Sequence, residues 1–201
     1  MKKLAIIVLL LVIAVSGSYS QSGRQIIDAP AITWLGLDYS HVKFFGESID
    51  NPVEVKQKYF KSWNDLILNE QKKYNLQECL RKSTIKYDLT VVTKGNDKAN
   101  PAELTTMETY SISNETVESI IKGYELAGKT GMGLVFIMEC MNKPDKSGSM
   151  LVVFFDMESK NIIFVRRMSG KPGGIGFRNY WASTYYNVLK DIGKNFDSMF
   201  K

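Results

Sequence analysis

Apolar side chains recur at the three- and four-residue spacing of an amphipathic helix in several segments of the chain. The first segment follows Asn51-Pro52, where a capping residue and a proline at the first helical position predict a helix start. A short second helix is predicted from Asn75, and a third from Ser113 or Asn114. The longest stripes belong to the first and last helices: Tyr59, Phe60, Trp63, Leu66 and Ile67, and then Trp181, Tyr185, Val188, Leu189, Ile192, Phe196, Met199 and Phe200.

Runs of β-branched and aromatic residues predict five strands, at 32–45, 85–91, 133–141, 150–157 and 162–168. The third and fourth strands are apolar on both faces, which is typical of strands in the middle of a sheet that is covered on both sides. Arg166 and Arg167 interrupt the pattern of the fifth strand and indicate a position nearer an edge. Leaving the last helical stripe in water would forfeit about 1.5–3 kcal/mol for each large side chain, so that helix is expected to pack on the sheet.

The element order β-α-α-β-α-β-β-β-α predicts a mixed α/β fold with about five strands and helices packed on the sheet. Strands separated by helices are expected to pair in parallel through right-handed crossovers, and the last three to form an antiparallel meander. A single domain is expected over 32–201, after a flexible lead-in at 21–31. Residues 94–101 are rich in Gly, Asn, Asp and Lys and predict a surface loop, whereas 102–111 show no clear pattern.

Residues 1–20 have the pattern of a cleavable secretory signal peptide. Two lysines precede an uncharged apolar run at 4–15, and Ser18 and Ser20 supply small residues before the cut. The apolar run is shorter than the roughly 20 residues that a bilayer span needs. No cysteine lies near the cut, so no lipid anchor is expected. The pattern therefore predicts an exported soluble protein, periplasmic or extracellular, with no transmembrane segment in the mature chain.

The chain carries 26 lysines and arginines against 21 acidic residues, a formal net charge of +5, which falls to +3 without the two lysines of the leader. Proteins that bind nucleic acid usually concentrate basic residues in one stripe. This mild excess makes nucleic acid the least favoured partner. Such a partner would require Arg166, Arg167, Lys171 and Arg178 to form one basic face.

Metal and cofactor chemistry are not indicated. Two cysteines and the single histidine, His41, cannot supply a structural zinc site, and no cofactor is expected. Cys79 shares a helical face with Leu76 and Leu80, and Cys140 lies in an apolar strand, so both are expected to point inward. We interpret them as two buried thiols, with a disulfide between them as the alternative, because sequence cannot test the Cα spacing that a disulfide requires.

Catalytic motifs are scarce, since G-x-S-x-G and H-E-x-x-H are both absent. The candidate polar residues are Asp38, Ser40 and His41, which lie close in sequence, and Glu139, which interrupts an apolar strand. A buried carboxylate of this kind is sometimes suited to acid–base work. The structural alternative for the first three is a cluster of polar residues at a strand end. For Glu139 it is either a strand that emerges from the core at this position or pairing with an arginine of a neighbouring strand.

A glycine-rich stretch leads into the last helix. Its candidate ligand-binding residues are Lys171, Gly173, Gly174, Gly176, Arg178 and Asn179. Glycines free backbone N–H groups, a helix begins after them and two cations are added, so binding of an anion or a small acidic ligand is one interpretation. The favoured interpretation is a plain connector, because Pro172 stands where a phosphate loop needs Ser or Thr after its lysine, and because glycines also serve tight packing.

Three stretches carry a resemblance to a known family: GMGLVFI at 131–137, FDMESK at 155–160 and GGIGFRNYW at 173–181. With them the chain resembles, over most of its length beyond the leader, a family of small exported proteins of Gram-negative bacteria that has no assigned activity. More distantly, the Asp-x-x-Ser-Lys turn and the final helix resemble periplasmic α/β domains of envelope-assembly proteins, such as the curli secretion lipoprotein and the amino-terminal domain of TolB. The chain departs from the curli component in lacking a lipid-anchor cysteine, and the distant likeness concerns the fold alone.

The function expected from these features is that of a non-enzymatic envelope protein that binds another protein or a small ligand. The alternative is a hydrolase-like enzyme that uses an acidic residue or the 38–41 segment. An enzyme should place its acidic or histidine side chain in a concave pocket beside a partner group. A binding module should instead expose a sheet edge or an apolar patch.

Overall fold

The structure, a computed structural model, describes residues 23–46 and 49–200. The predicted signal peptide at 1–20 lies outside the described residues. The described residues form a mixed α/β fold, as predicted, in which helices cover a largely parallel sheet on both faces. Within the described ranges, no helix combines the length and the apolar character needed to cross a membrane.

The sheet has a central parallel part and an antiparallel side. Strand β1 is parallel to its neighbours β3 and β5, and β2 is parallel to β4 and β5. Strands β5, β6 and β7 form the predicted antiparallel meander. The strands are β1 (Ile32–Asp38), β2 (Lys43–Phe45), β3 (Ile85–Tyr87), β4 (Thr105–Thr106), β5 (Met132–Asn142), β6 (Ser147–Asp156) and β7 (Ile162–Gly170).

The prediction of about five strands was wrong, because the described sheet has seven, and the predicted order of elements along the chain is not confirmed. The predicted first strand is divided at 39–42 by a turn in which Val42 N–H donates to the Tyr39 carbonyl over 3.2 Å. Its two parts, β1 and β2, pair end to end along β5. The extra strand β4 comes from the region that shows no clear sequence pattern, and it is held by backbone pairing with β2.

The helices are α1 (23–28), α2 (Pro52–Glu54), α3 (Phe60–Asn69), α4 (Leu76–Cys79), α5 (Thr90–Lys98), α6 (Asn114–Gly123), α7 (Phe177–Lys194) and α8 (Phe196–Phe200). A π-helical turn, Val55–Tyr59, joins α2 to α3, and a 3₁₀ turn, Pro101–Glu103, follows α5. The predicted caps are confirmed: Asn51, Asn75 and Ser113 each accept a backbone N–H of the first helical turn.

Two helical segments replace predicted irregular structure. Residues 23–28, expected to be a loose lead-in, are helical, and Ile26 is fully buried in the core. Helix α5 occupies the end of the predicted second strand and most of the predicted loop at 94–101. Burial of Val91 and Val92 outweighs the poor helix propensity of Gly95 and its polar neighbours, which is the usual outcome when packing and propensity conflict.

Separate apolar cores lie on the two faces of the sheet. Helices α3, α4 and α7 pack on one face, where Trp34, Trp63 and Trp181 are buried together. Helices α5 and α6 pack on the other face, against Leu35 and Val153. The prediction of a doubly covered sheet and of a last helix lying on it is therefore confirmed, although that helix breaks at 195 into α7 and α8.

Among the strands that the structure describes, β7 pairs with β6 alone and forms an edge of the sheet, as its arginines indicated. Arg166 on this strand is exposed. A charged side chain on an edge strand hinders pairing with a foreign strand.

Candidate functional site: a groove beside the central strand

The site is built where β1 continues beyond its short neighbour β3. A register shift between Trp34 and Gly36 bulges β1, and Gly36 has φ of +110°, a conformation that glycine adopts readily. A Cβ atom on Gly36 would lie 2.6 Å from Asn64 Oδ1, 2.7 Å from Val92 Cγ2 and 2.8 Å from Leu89 Cδ2. The glycine therefore lets α3 and α5 approach the strand from opposite sides.

Two buried asparagines, Asn64 of α3 and Asn96 of α5, take the place of a neighbouring strand. Leu37 N–H donates to Asn64 Oδ1 over 2.7 Å, and Asn64 Nδ2 donates back to the Leu37 carbonyl over 2.9 Å. Asn96 Nδ2 donates to the same carbonyl over 3.0 Å, and Tyr39 N–H donates to Asn96 Oδ1 over 2.6 Å. This asparagine pair satisfies backbone groups that would otherwise be unpaired and buried.

Above the asparagine pair lies a groove of about 400 Å³ between the π-helical turn with α3 and the helix α5. We call it the α3–α5 groove. Its volume is at the lower end of the roughly 300–1,000 Å³ range of small-molecule sites. Its lining residues are Lys56, Gln57, Phe60, Lys61, Asn64, Asp65, Leu89, Thr93, Asn96 and Asp97.

The charges around the α3–α5 groove are not all paired. Lys61 and Asp65 form an ion pair with 2.6 Å between Nζ and Oδ2, so these two charges neutralise each other. Lys56 of the π-helical turn and Asp97 of α5 have no ion-pair partner in the part of the chain that the structure describes. One wall thus offers a free ammonium group and the other a free carboxylate.

An aromatic layer supports the groove from behind. Phe60 stacks on Tyr39, with ring centroids 4.4 Å apart and planes 7° apart. The Tyr39 hydroxyl donates to the Tyr185 hydroxyl over 2.7 Å, and both tyrosines are fully buried. The position of Phe60 is thereby fixed by packing, which gives the groove a preformed apolar floor.

The buried tyrosines predict a loss of stability at alkaline pH. Burial raises the pKa of Tyr39, Tyr124 and Tyr185 well above the ordinary value of 10.0; Tyr185 raises that of Tyr39 further, and the Asp38 carboxylate does so for Tyr124. Above about pH 10 the unfolded chain loses these protons and the folded chain keeps them, so stability falls as pH rises. The free energy of unfolding should fall by about 4 kcal/mol per pH unit from these three groups, at about 1.4 kcal/mol each.

Tyrosinate absorbance and circular dichroism, followed together through an alkaline titration, measure this loss. The three hydroxyls should ionise only as the dichroism signal collapses, and Tyr39→Phe should reduce the slope by about one tyrosine, or about 1.4 kcal/mol per pH unit. Ionisation of every tyrosine near pH 10 in a protein with native dichroism would contradict the prediction.

The sequence-predicted polar residues at the end of β1 do not form a catalytic arrangement. Asp38 is fully buried; it accepts the Ser40 N–H over 2.7 Å and the Tyr124 hydroxyl over 2.5 Å. Ser40 Oγ lies 2.9 Å from Nδ1 of the exposed His41. Because the carboxylate contacts the serine backbone and a tyrosine rather than the imidazole, it does not orient the histidine as the acid of a triad does.

Glu139 has the arginine-paired environment considered from the sequence. It lies at a bulge of β5 and is 2% exposed. Arg167 of β7, two strands away, donates to both carboxylate oxygens over 2.9–3.0 Å and to the Ile112 carbonyl over 2.7 Å. The carboxylate also accepts the Ile112 N–H over 2.7 Å. Glu139 and Arg167 therefore fasten the segment before α6 to the sheet.

The glycine-rich stretch folds back along the side of α7. Gly173 N–H donates to the Tyr180 carbonyl over 2.9 Å, and Ser183 Oγ donates to the Gly173 carbonyl over 2.6 Å. Asn187 Nδ2 donates to the Lys171 carbonyl over 2.8 Å. Of the remaining candidates, Gly174, Gly176 and Arg178 are exposed, and Asn179 Nδ2 donates to the Ile175 carbonyl over 3.2 Å. These contacts are those of a connector that is clamped to its helix.

Both cysteines are free thiols, so the alternative of a disulfide between Cys79 and Cys140 is not present in the structure. Cys79 lies against Gly193 of α7, and Cys140 lies in β5. Burial raises the pKa of both thiols, which keeps them in the less reactive protonated form. Among residues 23–46 and 49–200, no group of three or more His, Cys, Asp or Glu side chains is placed to hold a metal ion.

Sequence reasoning missed the residues that line the α3–α5 groove. Asn96, Asp97 and Thr93 fell in or beside a predicted loop, and Asn64 was an unremarked polar position on a predicted helix. The one available signal was the spacing of Leu89, Val92 and Asn96 at i, i+3 and i+7, which marks a helical face with a polar residue among apolar ones.

The fold and the groove together define a mixed α/β domain with a ligand-sized depression at the carboxyl end of its central parallel strand. Comparison with known proteins finds no protein-family model that matches this chain and no curated protein with significant similarity to it.

Proposed function

We propose that this protein is an exported, non-enzymatic binding domain of the cell envelope, and that a small ligand with an apolar part binds in the α3–α5 groove. Export rests on the signal-peptide pattern of residues 1–20. The observation that carries the binding role is the position of the groove. It lies at the carboxyl end of β1, between helices that pack on opposite faces of the sheet.

This position has a general physical basis. The helices between β1 and β3 cover one face of the sheet, and those between β3 and β5 cover the other. In open α/β sheets, ligands bind outside the carboxyl ends of the strands at the point where successive crossovers diverge in this way. The divergence leaves a crevice that the fold itself does not fill.

The π-helical turn Val55–Tyr59 adds a local argument. Such turns are rare and occur frequently at functional sites, because the wider turn displaces side chains from a regular helical position. Here the turn supplies Lys56 and Gln57 to one wall of the groove, and the residue after it, Phe60, forms part of the floor.

The hydrolase alternative has less support. Its candidate carboxylates, Asp38 and Glu139, are buried and committed to Tyr124 and Arg167 respectively, and neither lines the α3–α5 groove. Recruitment of a partner strand by β7 is also disfavoured, because Arg166 is exposed on that edge.

A neutral aromatic probe, 2-phenylethanol, tests the groove directly. Titration followed by amide NMR shifts should perturb the amides of Phe60, Leu89 and Thr93. Thr93→Trp should fill the groove and weaken probe binding at least tenfold, which corresponds to about 1.4 kcal/mol. Lys94→Trp is the matched control on the same helix, since Lys94 does not line the groove, and it should bind the probe like the parent protein.

Either of two results would refute the proposal. One is saturable binding that shifts only amides remote from α3 and α5. The other is equal affinity of the Thr93→Trp and Lys94→Trp variants, because a ligand in the groove cannot tolerate an indole in its place.

A further inference from the structure

We infer that the ligand of the α3–α5 groove is a zwitterion of the size of a dipeptide, with its carboxylate at Lys56, its ammonium group at Asp97 and an apolar side chain over Phe60. The inference rests on the proposed function, because it names the chemical class of ligand for the same site. It follows from three features of the groove: its free charges, its floor and its size.

The two unpaired charges of the groove determine which charged groups the ligand carries at its ends. Lys61 and Asp65 already pair with each other, so a ligand that binds either one must compete with that ion pair. Lys56 is half-buried and Asp97 is exposed, and they lie on different walls of the groove, the π-helical turn and α5. A ligand with a single charge would satisfy one of them and leave the other without a partner. A zwitterion complements both walls at once.

The apolar floor of the groove determines the chemistry of the part of the ligand that lies between its two charged ends. Phe60 and Leu89 are the apolar residues that line the groove, and Phe60 is held by its stack on Tyr39. An apolar side chain is therefore expected between the two charged ends. Gln57 and Thr93 also line the groove and supply donors and acceptors for a peptide group.

The size and the charges of the groove disfavour other common ligand classes. The volume of about 400 Å³ suits a molecule at the small end of the ligand range rather than a dinucleotide or a long lipid chain. A polyanion would meet Asp65 and Asp97, and a polycation would meet Lys56 and Lys61. A short peptide with free termini has the required chemistry.

The test uses four versions of phenylalanyl-leucine in calorimetric titrations of the full mature chain. The free dipeptide carries both charges, its C-terminal amide lacks the carboxylate, its N-acetyl form lacks the ammonium group and the doubly blocked form lacks both. Each blocking step should weaken binding by about 3- to 10-fold, as expected for ion pairs near a protein surface.

Two variants, each of which removes one charge from the groove, test which wall binds which charged end of the peptide. Lys56→Gln should bind the free dipeptide and its amide equally, while still preferring a free amino terminus. Asp97→Asn should show the reverse pattern. Lys72→Gln and Glu108→Gln are matched controls, because both residues are exposed and lie outside the groove, and they should keep both preferences.

The outcomes separate this inference from the proposed function. Equal binding of all four peptides in the groove, with normal binding of 2-phenylethanol, overturns the zwitterion and leaves the binding site intact. A preference for one charge alone also overturns it, in favour of a simple acid or amine. Failure of both the peptides and 2-phenylethanol to bind in the groove refutes the proposed function as well.

Discussion

Replacing Gly36 with alanine should destabilise the domain more than any other single methyl addition to β1. The substitution forces a Cβ atom to within 2.8 Å or less of side chains from α3 and α5, at a residue whose φ is +110°. Backbone strain and overpacking each cost about 1–3 kcal/mol, so their sum should lower the free energy of unfolding by about 2–6 kcal/mol. Against a total stability of about 5–15 kcal/mol, this is a large part of the stability of the fold.

Urea denaturation followed by tryptophan fluorescence measures this effect. Gly123→Ala is the matched control, because a Cβ atom at that position, the last residue of α6, would meet nothing within 4 Å. The control should be neutral or stabilising by about 0.5–1 kcal/mol. If Gly36→Ala and Gly123→Ala unfold at the same urea concentration, α3 and α5 do not close on β1 as described.

Replacing Arg167 with methionine should produce the second large loss of stability. The change keeps much of the side-chain length but leaves the nearly buried Glu139 carboxylate without its cation. Breaking a fully buried ion pair costs about 3–5 kcal/mol. Since the Arg167 side chain is 49% exposed, water can reach the site after the substitution, and we expect a loss below that range, of about 2 kcal/mol.

The neighbouring arginine offers a control in the same strand. Arg166 is exposed and has no ion-pair partner within the described residues, so Arg166→Met should change the free energy of unfolding by less than about 0.5 kcal/mol. Adding Glu139→Gln to Arg167→Met removes the buried charge and should restore part of the loss. Equal unfolding midpoints for the two arginine variants would show that Glu139 does not depend on Arg167.

Much of the fold can be predicted from local patterns of apolar and capping residues in the sequence. The apolar runs of β5 and β6 are buried on both faces, and the capping residues Asn51, Asn75 and Ser113 begin their helices as predicted. These features depend on neighbours in sequence, so a single sequence reveals them. The strand count was wrong because β4 is only two residues long and depends on pairing with β2 rather than on its own residues.

The groove was not predictable in the same way. Asn64 and Asn96 are 32 positions apart, and their role depends on both amides meeting the backbone of Leu37. Nothing in either local sequence marks such a contact. Asp38 and Glu139 attracted attention because buried carboxylates are unusual, yet their partners, Tyr124 and Arg167, show that the charges serve the fold.

The asparagine pair also determines which residues of the α3–α5 groove can be substituted without disturbing the fold. Because side-chain amides already complete the hydrogen bonding of β1, an incoming molecule cannot be recognised by extending the sheet and must be recognised by the helix walls alone. The wall residues Lys56, Gln57, Thr93 and Asp97 lie at the surface or are only partly buried, and substitutions there leave the packed interior untouched. Under the proposed binding role, ligand selectivity can therefore change through these wall residues while the scaffold beneath stays constant.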